Sequence, residues 1–349
     1  MSQLVLLSPC HTTVINLRMK RIELLDFIRG FSIFTIVLMH LCQSYTNGIF
    51  NKAFAFGGAG VHVFILCSGL GLYLSYLRKP LNYKDFLLKR FTKVYVPYII
   101  AVLLWGVWFM YKNGAFPMKE IMSHLLLYKM FSVELDTSLC YPYWFISTII
   151  QLYLVWPLIV HLIRCKGGYF YSFIISLLWS TLVGVLGYEE IRPWGSFFLQ
   201  YLWEFCLGMW IAENYMYTNR GKNGKDLLNI SYYQWWWLLG GAIGGMGISA
   251  FMAWNGGILK LYNDIPSLVG YLSILLIIYK LGIGLINSFF VWANSFSYEL
   301  YLVHSLVFIF LAYVIANETS LYILLSASLI LAYTVGYEFN WLLKKIKLK

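Results

Sequence analysis

The stretch Ile22–Tyr45, IELLDFIRGFSIFTIVLMHLCQSY, decides how this chain is to be read. It is apolar and long enough to cross the hydrocarbon core of a bilayer as one helix. Yet it carries Asp26, Arg29 and His40. An ionisable group inside hydrocarbon is costly, and each one is a functional candidate by default. Arg29 and His40 stand 11 positions apart. At about 100° per residue, that spacing puts both on one helix face, about 16.5 Å apart along the axis. Asp26 precedes Arg29 by three positions and can pair with it. Two readings follow from the spacing. One is a polar line holding a basic anchor and, deeper in, a proton-transfer group. The other is an interfacial ion pair with a hydrogen-bonded core histidine.

Outward from this segment the pattern repeats. The chain has 349 residues, 60% apolar and only 12% charged. That charged share is about half the usual globular value, which excludes disorder, collagen, nucleic-acid scaffolds and secreted disulfide frameworks. Apolar runs lie near 22–45, 57–77, 94–110, 143–162, 169–187, 195–211, 233–254, 266–281, 295–315 and 320–343. The expected fold is all-α: a polytopic integral membrane protein with about ten transmembrane helices. Ile286–Asn294 is short and reads as a half-span or an interfacial turn. The 14 Trp and 28 Tyr fit interfacial belts. The six cysteines form no CxxC pair and read as small core residues rather than disulfides or metal ligands.

The net charge of +11 carries topology information. With ten spans, nineteen Lys and Arg fall on one set of loops and both ends, and six on the other set. The positive-inside rule then puts both termini in the cytoplasm. The expected organisation is a cytoplasmic tail over 1–20, a transmembrane domain over 21–343 and a basic cytoplasmic tail over 344–349. Residues 1–18 lack the basic start and small-residue cleavage site of a signal peptide. The outward loop Tyr111–Pro142 contains MKEIMSHLLLYKMF, an amphipathic run suited to the outer interface.

Further polar groups stand at the other spans. Ser297, Tyr301 and His304 follow i, i+4, i+7 and share a face. They suit either a site or a hydrogen-bonded helix contact. Lys89, Arg90 and Lys93, in KRFTKVYVPY, open the third span. They suit a topological anchor or a clamp for phosphate. Glu204 is an intramembrane carboxylate able to serve a site or pair with a basic group of another helix. Gly57–Gly60 lacks the GK[ST] of a nucleotide loop and reads as close helix packing. There is no GxSxG, HExxH or Walker motif.

Taken together these residues resemble the membrane acyltransferase-3 family, which includes bacterial polysaccharide O-acetyltransferases. Arg29 and His40 match its Arg-x10-His, GGAGVHVFILCSGL its second-span signature, and KRFTKVYVPY its basic third-span start. WFISTIIQLYLVWP (Trp144–Pro157) and SYELYLVH (Ser297–His304) complete the match. Two departures are His62, where a small or acidic residue is common, and Lys93, where Arg is frequent. The resemblance implies O-acyl transfer, usually of acetyl from acetyl-CoA, to a sugar hydroxyl of a surface glycan or its lipid-linked precursor. It places His40 and Arg29 as catalytic residues. Lys89, Arg90 and Lys93 would bind the acyl donor, and Asp26, Glu204, Ser297, Tyr301 and His304 would support the site. No metal, no bound cofactor and no nucleic-acid partner is expected. The expected location is the inner (plasma) membrane, in contact with the lipid bilayer, acyl-CoA and the saccharide. A transporter or flippase of a lipid-linked saccharide is the competing reading, since intramembrane Arg and His would line its path equally well.

Overall fold

The computed structural model describes residues 22–48, 54–219, 226–315 and 320–346. Among them there are helices, turns and loops but no strand. This is what hydrocarbon requires, because a helix satisfies its own backbone polar groups. The tail 1–20 and residues 347–349 lie outside the described residues.

Among the described residues, seven helices are long and apolar enough to cross a membrane. They are α1 (Glu23–Tyr45), α2 (Gly60–Arg78), extended upstream by a short helical turn from Ala55, α3 (Tyr83–Asn113), α7 (Gly168–Val185), α9 (Trp235–Asn255), α12 (Ser297–Ile315) and α13 (Leu321–Lys345). Between them lie α4 (Met118–Leu125), α5 (Trp144–Leu154), α6 (Trp156–Arg164), α8 (Leu202–Asn219), α10 (Asp264–Lys280) and α11 (Gly284–Asn294).

The expectation of about ten spans is therefore approximate. The run 143–162 is not one straight helix. It breaks between α5 and α6 with a bend of 61°. Pro157 is the cause: it has no N–H, and its ring opposes the carbonyl four residues back, at Tyr153. Counting the bent pair as one span gives eight. The runs 195–211 and 266–281 became α8 and α10, which lie beside α2 and α9. The first carries Glu204 and Glu213, and the second has 17 residues.

α1 and α2 form the centre, and α9 and α13 the periphery. Trp236, Trp237 and Trp254 of α9 are 80%, 77% and 83% exposed. Trp237 and Trp254 are about 25 Å apart along the helix at 1.5 Å per residue, close to the hydrocarbon thickness.

Small residues set how closely the centre packs. A Cβ on Gly57 would lie 2.2 Å from the Thr35 carbonyl oxygen, so the GGAG run is a close-packing surface against α1. The short run 286–294 lies in α11, which packs on α1 through its buried Phe290 and Ala293. A Cβ on Gly30 would come 1.7 Å from the Phe290 carbonyl oxygen. Backbone cannot yield there as a side chain would. Gly30→Val is expected to destabilise the protein by about 1–3 kcal/mol or more, measured as a lower thermal unfolding midpoint in detergent. An unchanged midpoint would contradict this contact.

The described cysteines are all free, four buried and Cys165 exposed. Cys10 lies outside the described residues.

Candidate active site

Arg29 is anchored by its neighbours on two helices. Its Nη2 donates to the Cys67 carbonyl of α2 at 2.8 Å. One turn on, Gly71 leaves the guanidinium room, since a Cβ there would lie 3.1 Å from Nη2. Asp26, a turn earlier, accepts from Asn294 Nδ2 at 2.7 Å, which ties α1 to the end of α11. In front of Arg29 opens a cavity of about 340 Å³, lined among others by Ile36, Ser68, Tyr153, Ser297 and Tyr301. Its size lies within the range of small-molecule sites.

The basic third-span motif adjoins this cavity through an irregular turn. Asn82 caps α3 by accepting from Asp85 N at 2.8 Å. The helix then widens into a π-turn over Phe91–Tyr95, a distortion frequent at functional sites. The Tyr298 hydroxyl donates to the Val94 carbonyl at 2.7 Å, and both residues line the cavity. Arg29 and Tyr153 line the cavity, and Arg90, outside the lining, is close enough for its charge to act on Tyr153 as that of Arg29 does. The Arg90 Nε is buried without a hydrogen-bond partner. Lys89 and Lys93 are exposed. Of the three expected donor contacts, the fold sets Arg90 at the cavity edge and leaves the two lysines outside it.

At the other end of the polar face, His40 meets His304. Their ring centroids are 5.2 Å apart with the planes tilted by 31°. His304 is fully buried, and its Nδ1 lies 2.8 Å from the Tyr301 carbonyl. A carbonyl only accepts, so Nδ1 carries the proton and Nε2 is the acceptor, 3.1 Å from Ser305 Oγ. His40 Nδ1 lies 3.2 Å from Gln43 Oε1, which assigns the proton to Nδ1 and leaves Nε2 as a base. The cavity lining includes Ile36 and Tyr301, one turn short of His40 and His304 respectively. Tyr301 donates to the Pro142 carbonyl, and Tyr143 donates to that of Leu302 at 2.6 Å. The turn that leads into Trp144–Pro157 is thus fastened to the Ser297–His304 segment of α12.

The loop 111–142 folds over this end. Its helix α4 buries Ile121, Ser123 and His124. The Tyr98 hydroxyl donates to His124 Nδ1 at 2.8 Å, and His124 Nε2 donates to the Ser138 carbonyl at 3.0 Å. Burial, then the nearby Lys129 charge, lowers His124 to about 3. Lys129 is 1% exposed and donates to the Asp136 carbonyl at 2.9 Å; burial lowers it to about 8.

Both shifts make stability rise with pH. Between about pH 3 and 6.5 the unfolded chain holds a proton on His124 that the folded chain lacks, so stability falls as pH drops below 6.5. Between about 8 and 10.5 the same holds for Lys129, and stability rises over that window. Each group contributes at most about 1.4 kcal/mol per pH unit. His124→Gln should flatten the acid limb of the unfolding midpoint measured from pH 7 to 5. A wild-type midpoint that does not fall over that range would refute it.

Sequence reasoning passed over Arg192 as an ordinary outer-loop cation. Its guanidinium sits 4.5 Å from the Trp144 ring centroid and 4.9 Å from that of Tyr141, whose hydroxyl it also reaches. Its charge bears on both His40 and Tyr301. The tripeptide RPW gives no signal of this role; only the aromatic clamp does.

Glu204 pairs with His62, the residue that departs from the family pattern. His62 Nδ1 lies 2.7 Å from Glu204 Oε1, and Nε2 lies 3.7 Å from Asp264 Oδ1. Among the described residues these three are the group of His, Cys, Asp or Glu with ligand-like mutual spacing. They do not line the Arg29 cavity.

Comparison with known proteins bears on the chemistry. The family model of an acyltransferase domain, acyltransferase-3, matches residues 22–337. No curated protein and no solved structure matches the chain.

Proposed function

The chain belongs to the acyltransferase-3 family, and from that membership we propose that it moves an acyl group, expected to be acetyl, from acyl-CoA to a sugar hydroxyl of a surface glycan or its lipid-linked precursor. That it is a helical membrane acyltransferase follows from the family and the apolar helices. The observation that carries the finer reading is the cavity of about 340 Å³, with two guanidinium groups at one end and a histidine pair one turn past the other.

A cytosolic acyl-CoA is anionic at its head and carries its thioester on a long arm. In the proposed mode, Lys89, Arg90 and Lys93 meet the phosphates, and the arm enters past Tyr153 and Arg29. Its carbonyl approaches His40 near Ile36 and Tyr301. His40 Nε2 takes the proton of the acceptor hydroxyl as the oxygen attacks the thioester carbonyl. The carbon–sulfur bond breaks, and the coenzyme leaves as a thiolate that takes up a proton. Alternatively, His40 first accepts the acyl group itself and then passes it on. His304, itself held by Ser305, buttresses the His40 ring, and Arg192 faces the acceptor side. Both termini lie in the cytoplasm, in keeping with the nineteen-to-six split of basic residues.

The test is transfer of labelled acetyl from acetyl-CoA to a glycan acceptor by the purified chain in liposomes. Arg90→Ala should raise the KM for acetyl-CoA by about 10-fold or more, with kcat changed less, the pattern of lost donor binding. Saccharide movement across the bilayer without acylation would establish the transporter reading instead.

A further inference from the structure

We propose that His62, Glu204 and Asp264 form a binding site for a divalent cation of the zinc class, which staples three helices at their starts. The site is separate from the Arg29 cavity and does not depend on the acyl-transfer reading.

Each residue comes from the first turn of a different helix. His62 stands near the start of α2, Glu204 near that of α8 and Asp264 at that of α10. Their donor atoms lie within 4.8 Å of one another. His62 stands between the two carboxylates, with Nδ1 2.7 Å from Glu204 Oε1 and Nε2 3.7 Å from Asp264 Oδ1. Asp264 is held in place by a neighbour. Gln200 Nε2 donates to its Oδ2 at 2.7 Å, leaving Oδ1 to face the imidazole. Donors at zinc–ligand distances of about 2.0–2.2 Å in a tetrahedron stand about 3.4 Å apart. A cation shared by all three would replace the His62–Glu204 hydrogen bond and draw donor atoms that now lie within 4.8 Å of one another to that spacing.

A second observation points to a missing partner. Glu204 is fully buried, and its Oε2 has no hydrogen-bond donor. A buried carboxylate oxygen left unsatisfied is rare and calls for an explanation. The first-turn positions suit the two carboxylates through the helix dipole, but the dipole does not account for an imidazole between them. Two carboxylates and a neutral imidazole balance a dication in charge. One nitrogen with two oxygens, and further positions for water, fits zinc better than the all-oxygen sets of calcium or magnesium. His62 and Asp264 are each 14% exposed, which gives an ion a way in.

The test uses the full chain in detergent, purified with a tag free of histidine, stripped with chelator, loaded with Zn²⁺ and desalted. Elemental analysis should find about one zinc per chain, and Zn²⁺ should raise the thermal unfolding midpoint by mass action. His62→Ala and the near-isosteric Glu204→Gln should lose both effects. Gln200→Ala should bind about 10- to 100-fold more weakly, as expected for loss of an orienting partner. Asp264→Asn, closest to the native shape, guards against misfolding: eluting as a single folded species without zinc, it supports the site. Wild-type protein that retains no zinc and shows no midpoint shift would overturn the proposal, leaving an imidazolium bridging two carboxylates. So would equal zinc retention in the His62 and Glu204 variants.

Discussion

His40→Ala is expected to abolish acyl transfer while leaving the protein folded and inserted. His40 is only half-buried near the C-terminal end of α1, and its side chain hydrogen-bonds to Gln43, three residues away on the same helix. Truncation there removes little packing. The loss is chemical: acid–base help is typically worth about 10²–10⁴-fold in rate. Transfer should be measured in liposomes beside the midpoint of thermal unfolding, so that a folding defect is seen for what it is. Near wild-type transfer by this variant would remove His40 from the mechanism. The same assay separates its two roles. An acyl-imidazole trapped by rapid quench with donor alone supports covalent passage. Its absence, with kinetics requiring both substrates together, supports a general base. His304→Gln provides a graded companion. Its Nδ1–H is spent on the Tyr301 carbonyl and its ring lies against His40. Its loss should therefore slow transfer less than that of His40.

Arg29→Lys is expected to lower kcat/KM by about 10- to 100-fold, corresponding to a charge-assisted contact worth about 1.5–3 kcal/mol. Lysine keeps the charge but not the planar fork. Arg29 already uses one Nη for the Cys67 carbonyl and faces the cavity with the rest. A lysine can do one of these things at a time. Arg29→Ala should cost more, because the Tyr153 wall then keeps Arg90 as its remaining guanidinium. Full activity in Arg29→Lys would mean that positive charge alone is needed there, and the bidentate role would fall.

Both variants stand on a geometry that was partly legible in advance. Ile22–Tyr45 announced a membrane helix because hydrocarbon accepts only backbone that bonds to itself, and twenty or so apolar residues supply it. The 3.6-residue period put Arg29 and His40 in phase, since within one helix spacing fixes direction. The all-helical class and the likeness to the acyltransferase-3 family were carried by the same residues. The tertiary structure decided which residues face that helix. His304 comes to His40 from α12, Arg90 joins Arg29 across Tyr153, and Arg192 comes onto Trp144 from the segment between α7 and α8. His62 finds its two carboxylates on α8 and α10. None of these pairings has a spacing to read, because they join separate helices. Between helices in lipid there is little hydrophobic drive, and the choice of neighbour falls to small residues and interlocking shapes. Gly30 under the Phe290 carbonyl is such a choice, and it made the short segment 286–294, read from the sequence as a half-span or interfacial turn, a packing partner of α1. The bend at Val155 is of both kinds. Pro157 forbids a regular helix there, a local fact written in the sequence, whereas the 61° it produces depends on what α5 and α6 pack against.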